Sequence, residues 1–192
     1  MPDRPPAAAP VVKLRIPDPS LVVLCGPAGS GKSTFARRHF RPTQIVSSDA
    51  CRAMIADDEA DISVSREAFE LFHSIIDLRL RHRRLTVADS TALRAEARRD
   101  LLRLARRHQV PAVLVVFDVS EERAYAHDTR RERRVGRPVI RRQWEALQRA
   151  LAAIPQEGFD QVYVLGEEDV TSATVEVVAA GSQRGSAGSG EK

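Results

Sequence analysis

The stretch VVLCGPAGSGKSTFARRHF, Val22 to Phe40, constrains this chain more than any other. Gly26 to Ser33 fits G-x-x-x-x-G-K-[ST], and both flanks suit it: an apolar, β-prone run before and a helical run after. Gly26, Gly29 and Gly31 let backbone N–H groups converge on phosphate oxygens, and Ser30 lies within the same turn. The helix opening near Ser33 adds a favourable dipole. Lys32 is placed to reach β- and γ-phosphates, the Ser33 hydroxyl to hold Mg²⁺, and Thr34 to touch the α-phosphate. The stretch therefore predicts a strand, a phosphate loop and a helix in that order, with ATP and Mg²⁺ as cofactors. It leaves open what receives the phosphate.

Further apolar runs set the fold class. Leu21–Cys25, Gln44–Ser47, Leu85–Ala88, Ala112–Asp118 and Gln161–Leu165 are rich in Val, Leu and Ile without polar alternation, as in parallel strands buried on both faces. Helical stripes lie between them: Ala68, Leu71, Phe72, Ile75, Ile76, and then Ala97, Leu101, Leu104, Ala105. The alternation predicts an α/β fold of the P-loop kinase type. Its mostly parallel, five-stranded sheet has helices on both faces and a small helical lid containing arginines at about 120–140. Ligands of such sheets sit beyond the carboxyl ends of the strands. With 192 residues, 43% of them hydrophobic, one domain over residues 12–178 is expected. The Pro/Ala-rich residues 1–11 and the Gly/Ser-rich residues 179–192 read as a disordered start and a flexible tail. No apolar stretch suits a membrane span and the start lacks a secretory pattern, so a cytoplasmic location is expected. Cys25 and Cys51 form neither a disulfide framework nor a metal spacing, and read as packed thiols.

Charge and carboxylate placement point to an acceptor. The net charge is +4, and lysine occurs only at Lys13, Lys32 and Lys192. The second strand ends in IVSSDACR, which puts Asp49 on the sheet edge of the phosphate loop. Asp49 fits a base for an attacking hydroxyl, with Arg52 holding an acceptor phosphate one helical turn on. It equally fits a helix-capping aspartate paired with a local arginine. Asp89, in LTVADST, fits a carboxylate of the Mg²⁺ shell or an anchor for a substrate arginine. After the fourth strand, Arg130 and Arg133 are one turn apart and suited to bracket a triphosphate, whereas Arg131 and Arg134 read as solvated. DDEAD (Asp57–Asp61) reads as a solvated acidic loop, and His73, His82 and His108 show no ligand spacing.

Together, KLRIPDPSLVVLCGPAGSGKSTFARRHF, IVSSDACR, TVADST and the arginine segment resemble the kinase module of bacterial polynucleotide kinase-phosphatase, an RNA-repair enzyme. The likeness runs from about Lys13 to Leu165. It implies transfer of the γ-phosphate of ATP to a polynucleotide 5′-hydroxyl, with a nucleic-acid end as partner. It also implies that Asp49 is the general base, Arg52 the substrate-phosphate arginine, Lys32 and Ser33 the loop residues, and Arg130 and Arg133 the lid arginines. Two positions depart from the family pattern. Ala126 and His127 stand where an Arg-Asn pair is usual, and Asp-Ser-Thr-Ala at Asp89–Ala92 replaces Asp-Ala-Thr-Asn. A small-molecule kinase would use the same loop and base. A nucleotide-dependent switch or ATPase would lack an acceptor, leaving Asp49 without a task. Aromatics make up 5% of the chain, too few for an extended base-stacking platform.

Overall fold

A computed structural model describes residues 11–130 and 134–179. The elements run β1 (Lys13–Asp18), β2 (Leu21–Cys25), α1 (Lys32–His39), β3 (Ile45–Ser47), α2 (Ser48–Ala56), α3 (Ser65–Arg81), β4 (Thr86–Asp89), α4 (Ala95–Arg107) and β5 (Ala112–Phe117). They continue with α5 (Glu121–Asp128), α6 (Arg137–Leu151), β6 (Gln161–Leu165), α7 (Asp169–Ser172) and β7 (Thr174–Ala179). Strands β3-β4-β2-β5-β6 form one parallel sheet, with Val22 beside Val87 on one flank and Val113 on the other. This is the expected α/β fold. Its five strands fall where the apolar runs placed them, give or take one residue at an end.

Side-chain alternation distributes each strand between two cores. Leu21, Val23 and Cys25 of β2 and Leu114 and Val116 of β5 face α3 and α4, meeting Phe72, Ile76 and Leu101. Val22, Leu24, Val113, Val115 and Phe117 face the other way, onto Phe35 of α1, Ala124 of α5 and Ile140 of α6. The α3 stripe holds, with Ala68, Phe72, Ile76 and Leu80 fully covered. The α4 stripe is rotated from its expected setting. Its buried residues are Arg98, Leu101, Leu102 and Ala105, while Ala97 and Leu104 are half-buried. The rotation puts a guanidinium into the core, a position that apolar periodicity does not count.

Two strands were not expected. β1 and β7 pair in parallel, Lys13 beside Thr174 through Asp18 beside Ala179, as a separate two-stranded sheet. Leu14 and Ile16 of β1 add to the second core.

Candidate active site

The phosphate loop joins β2 to α1 at the carboxyl edge of the sheet. Gly31, at φ 96°, caps α1, whose first turn holds no carboxylate. Two glycines meet steric demands that no other residue meets. Gly29 has φ +77°, and a Cβ there would fall 2.0 Å from the Ala124 carbonyl oxygen of α5. At Gly26 a Cβ would press on Phe117 at 3.0 Å. The Gly26 N–H donates to the Thr91 carbonyl (3.0 Å), tying the loop to the segment after β4. The Lys32 ammonium folds over the loop, donating to the Pro27 carbonyl (2.7 Å) and Ser30 Oγ (3.3 Å). Ser30 is buried, whereas Thr34 is exposed and does not line the cleft.

One cleft of about 790 Å³ gathers most of the expected residues: Gly29, Gly31, Lys32, Ser33, Asp49, Arg52 and Asp89. Asp89, at the end of β4, is nearly covered. Burial raises its carboxyl above the ordinary range, while the Ser33 hydroxyl hydrogen bond and the Lys32 charge act in the opposite direction. The carboxylate and the Ser33 hydroxyl are hard oxygen donors set side by side, a donor set that suits Mg²⁺.

Asp49 sits in the first turn of α2, but Ser47 is the cap, its Oγ accepting from the Ala50 N–H (3.3 Å). The cap of α2 is therefore Ser47 and not Asp49. The Asp49 carboxylate accepts from Arg52 Nη1 at 2.6 Å. Arg52 is 7% exposed, and the same Nη1 donates to the Glu59 carbonyl (2.8 Å). Its Nε is buried with no partner among the described residues. The acidic loop is thus more than a solvated one: its Glu59 backbone fixes Arg52, and Glu59 lines the cleft.

Arg130 is exposed in the turn after α5 and does not line the cleft. Arg133 lies outside the described residues. At the end of α5, Asp128 is buried and accepts from the N–H groups of Val135 (3.2 Å) and Gly136 (3.1 Å). Among the described residues, no cluster of His, Cys, Asp and Glu could hold a metal on its own, and no helix is long and apolar enough to cross a membrane.

Sequence reasoning missed three contributors. Gln143 of α6 reaches across the chain, its Oε1 accepting from the Ala28 N–H of the loop at 2.7 Å. Arg98, 1% exposed, grips Glu157 with two bonds (2.7 and 2.5 Å) and donates to the Ala92 and Leu93 carbonyls (both 2.8 Å). It fixes the segment that carries Asp89 and Thr91. Phe69 of α3 lines the acceptor side of the cleft. For Gln143 and Phe69 no local pattern separates them from surface residues. Arg98 left one signal: it lies three and seven residues before Leu101 and Ala105.

The fold and this site define a P-loop α/β domain with a carboxylate–arginine pair facing its phosphate loop. The chain belongs to the AAA domain family, whose model matches residues 21–154. No curated protein matches it in sequence. Solved structures resemble it in fold. A chain of the Pnkp1/Rnl/Hen1 RNA repair complex superposes with TM-score 0.62 at 21% identity, over 71% of this chain and 46% of that one. A chain of the PezAT chromosomal toxin-antitoxin system of Streptococcus pneumoniae gives 0.58 at 14% identity, over 82% and 71%. The Mycobacterium tuberculosis APS kinase CysC gives 0.50 at 14% identity, over 79% and 90%. This chain spans less than half the length of the RNA-repair chains (46% and 40%).

Proposed function

We propose that the protein is an ATP-dependent kinase that phosphorylates a 5′-hydroxyl nucleic-acid end. The observation that carries this reading is the Asp49–Arg52 pair. The Asp49 carboxylate already meets the buried guanidinium through Nη1, but Nε has no partner among the described residues, a cost that a further acceptor oxygen would relieve. An acceptor with a phosphate next to its hydroxyl supplies that oxygen to Arg52 and brings the hydroxyl to Asp49.

In this reading the loop amides and Lys32 bind the triphosphate, and Asp49 takes the proton of the attacking hydroxyl as its oxygen bonds to the γ-phosphorus and the bond to ADP breaks. Ser33 and Asp89 would hold Mg²⁺, which when bound would neutralise charge on the triphosphate. Gln143 holds the loop through Ala28, and Arg98 holds the Asp89 segment, so both keep the binding groups in place. Arg130 does not line the cleft, so in this reading the loop amides and Lys32 carry the triphosphate.

The small-molecule alternative draws support from the fold, which is similar to that of the APS kinase CysC. The test is incubation with γ-labelled ATP, Mg²⁺ and matched 5′-hydroxyl and 5′-phosphate oligonucleotides. Label on the 5′-hydroxyl strand alone is expected. Bound ATP with neither strand labelled would move the acceptor to a small molecule. Asp49→Asn is expected to lower kcat by at least about a hundredfold with ATP affinity retained. Lost ATP affinity in that variant would make Asp49 structural.

A further inference from the structure

Phe69 is the one aromatic ring among the described residues that line the cleft. It is 37% exposed on α3, whereas Phe72 and Ile76 of the same helix are fully covered. Its plane is set by a near-perpendicular contact with Phe72 (centroids 5.9 Å apart, 83°). A ring held by its neighbour and open to a cleft gives a flat surface at little ordering cost. It shares that cleft with Asp49 and Arg52, while Lys32, Ser33 and Asp89 supply the triphosphate side.

We infer that Phe69 stacks on the terminal base of the acceptor and forms a one-base subsite. The inference rests on the polynucleotide reading above and sharpens its substrate class: a nucleotide end with its base in place. Three contacts then define the acceptor, with its hydroxyl at Asp49, its phosphate at Arg52 and its base at Phe69. A lone ring gives one stacked base, and every base offers a π-face, so the subsite is tolerant of base identity.

The test compares two 5′-hydroxyl oligonucleotides, one with an ordinary terminal nucleotide and one with an abasic terminus. With the wild type, removing the base is expected to raise the acceptor KM about tenfold, within the range of stacking on one aromatic side chain, and to leave kcat nearly unchanged. In Phe69→Ala that difference should vanish, because both acceptors then bind like the abasic one. Phe69→Trp should keep it. Phe69→Leu retains apolar bulk without a flat face, so it carries the same expectation should the alanine variant fail to fold. Equal KM values for the two acceptors in the wild type, or full base discrimination in both Phe69→Ala and Phe69→Leu, would overturn the subsite while the kinase reading stands. No label on any oligonucleotide would overturn both.

Discussion

His39, the last residue of α1, packs its ring on Phe35 (4.5 Å). Phe35 in turn meets Phe117 (5.4 Å) below the phosphate loop. The His39 Nε2 is buried without a partner among the described residues. Burial, with the Arg38 charge second, holds the imidazole below its ordinary pKa. Between the folded and unfolded values the unfolded chain binds a proton that the folded chain refuses. Stability is therefore full above about pH 6.5 and is lost as pH falls through the depressed folded value. His73 acts in the same direction through its own burial, opposed by Asp100. His39→Phe keeps the ring contact and removes the titration. Urea midpoints at pH 7 and pH 5 should converge in the variant, though not fully, because His73 remains. An undiminished drop between the two would show that His39 does not titrate on unfolding. At this scale the sequence was most legible where partners are near in the chain. Lys32 and Ser33 are set by the loop motif, and Asp49 and Arg52 meet because they stand one turn apart. Gln143 and Arg98 were illegible because their partners, Ala28 and Glu157, lie 115 and 59 residues away.

At the level of elements, the five sheet strands were legible because burial on both faces leaves continuous apolar runs. The β1–β7 pair was not. β1 buries Leu14, Ile16 and Pro17 between exposed Lys13, Arg15 and Asp18, and finds its partner near the far end of the described chain. β7 buries no residue fully, and Glu176 interrupts its valines, so it does not read as a strand covered on both faces. The pair is nevertheless joined to the second core, since Leu14 and Ile16 pack with residues of α1, β5 and α6. Ile16→Ala should therefore cost about 2–5 kcal/mol of unfolding free energy. Lys13→Ala removes an exposed ion pair to Glu176 and should cost less than about 1 kcal/mol. Denaturant melts of the two variants check the contrast. Equal small losses would mean that the two-stranded sheet is not cooperative with the main fold.

For the whole molecule, a net charge of +4 is by itself weak evidence for a polyanionic partner. Many arginines are neutralised locally: Arg137 and Arg141 by Glu121, Arg99 by Glu96, Arg103 by Asp100, Arg107 by Asp77 and Arg66 by Glu70. Arg37 and Arg52 are the arginines lining the cleft among the described residues. Few phosphates should then be engaged, on the order of one or two. For a single strand each phosphate contact contributes a slope of about −0.7 in log affinity against log salt. Raising salt from about 50 to about 200 mM should lift the oligonucleotide KM by roughly three- to sevenfold. The base-stacking contribution of Phe69 is uncharged, so the ratio of abasic to ordinary KM should hold constant across the same range. A flat KM would remove Arg52 as the phosphate contact. A rise of a thousandfold or more would require a long phosphate track, and the exposed face of α6 with Arg137, Arg141 and Arg142 would then be the surface to mutate.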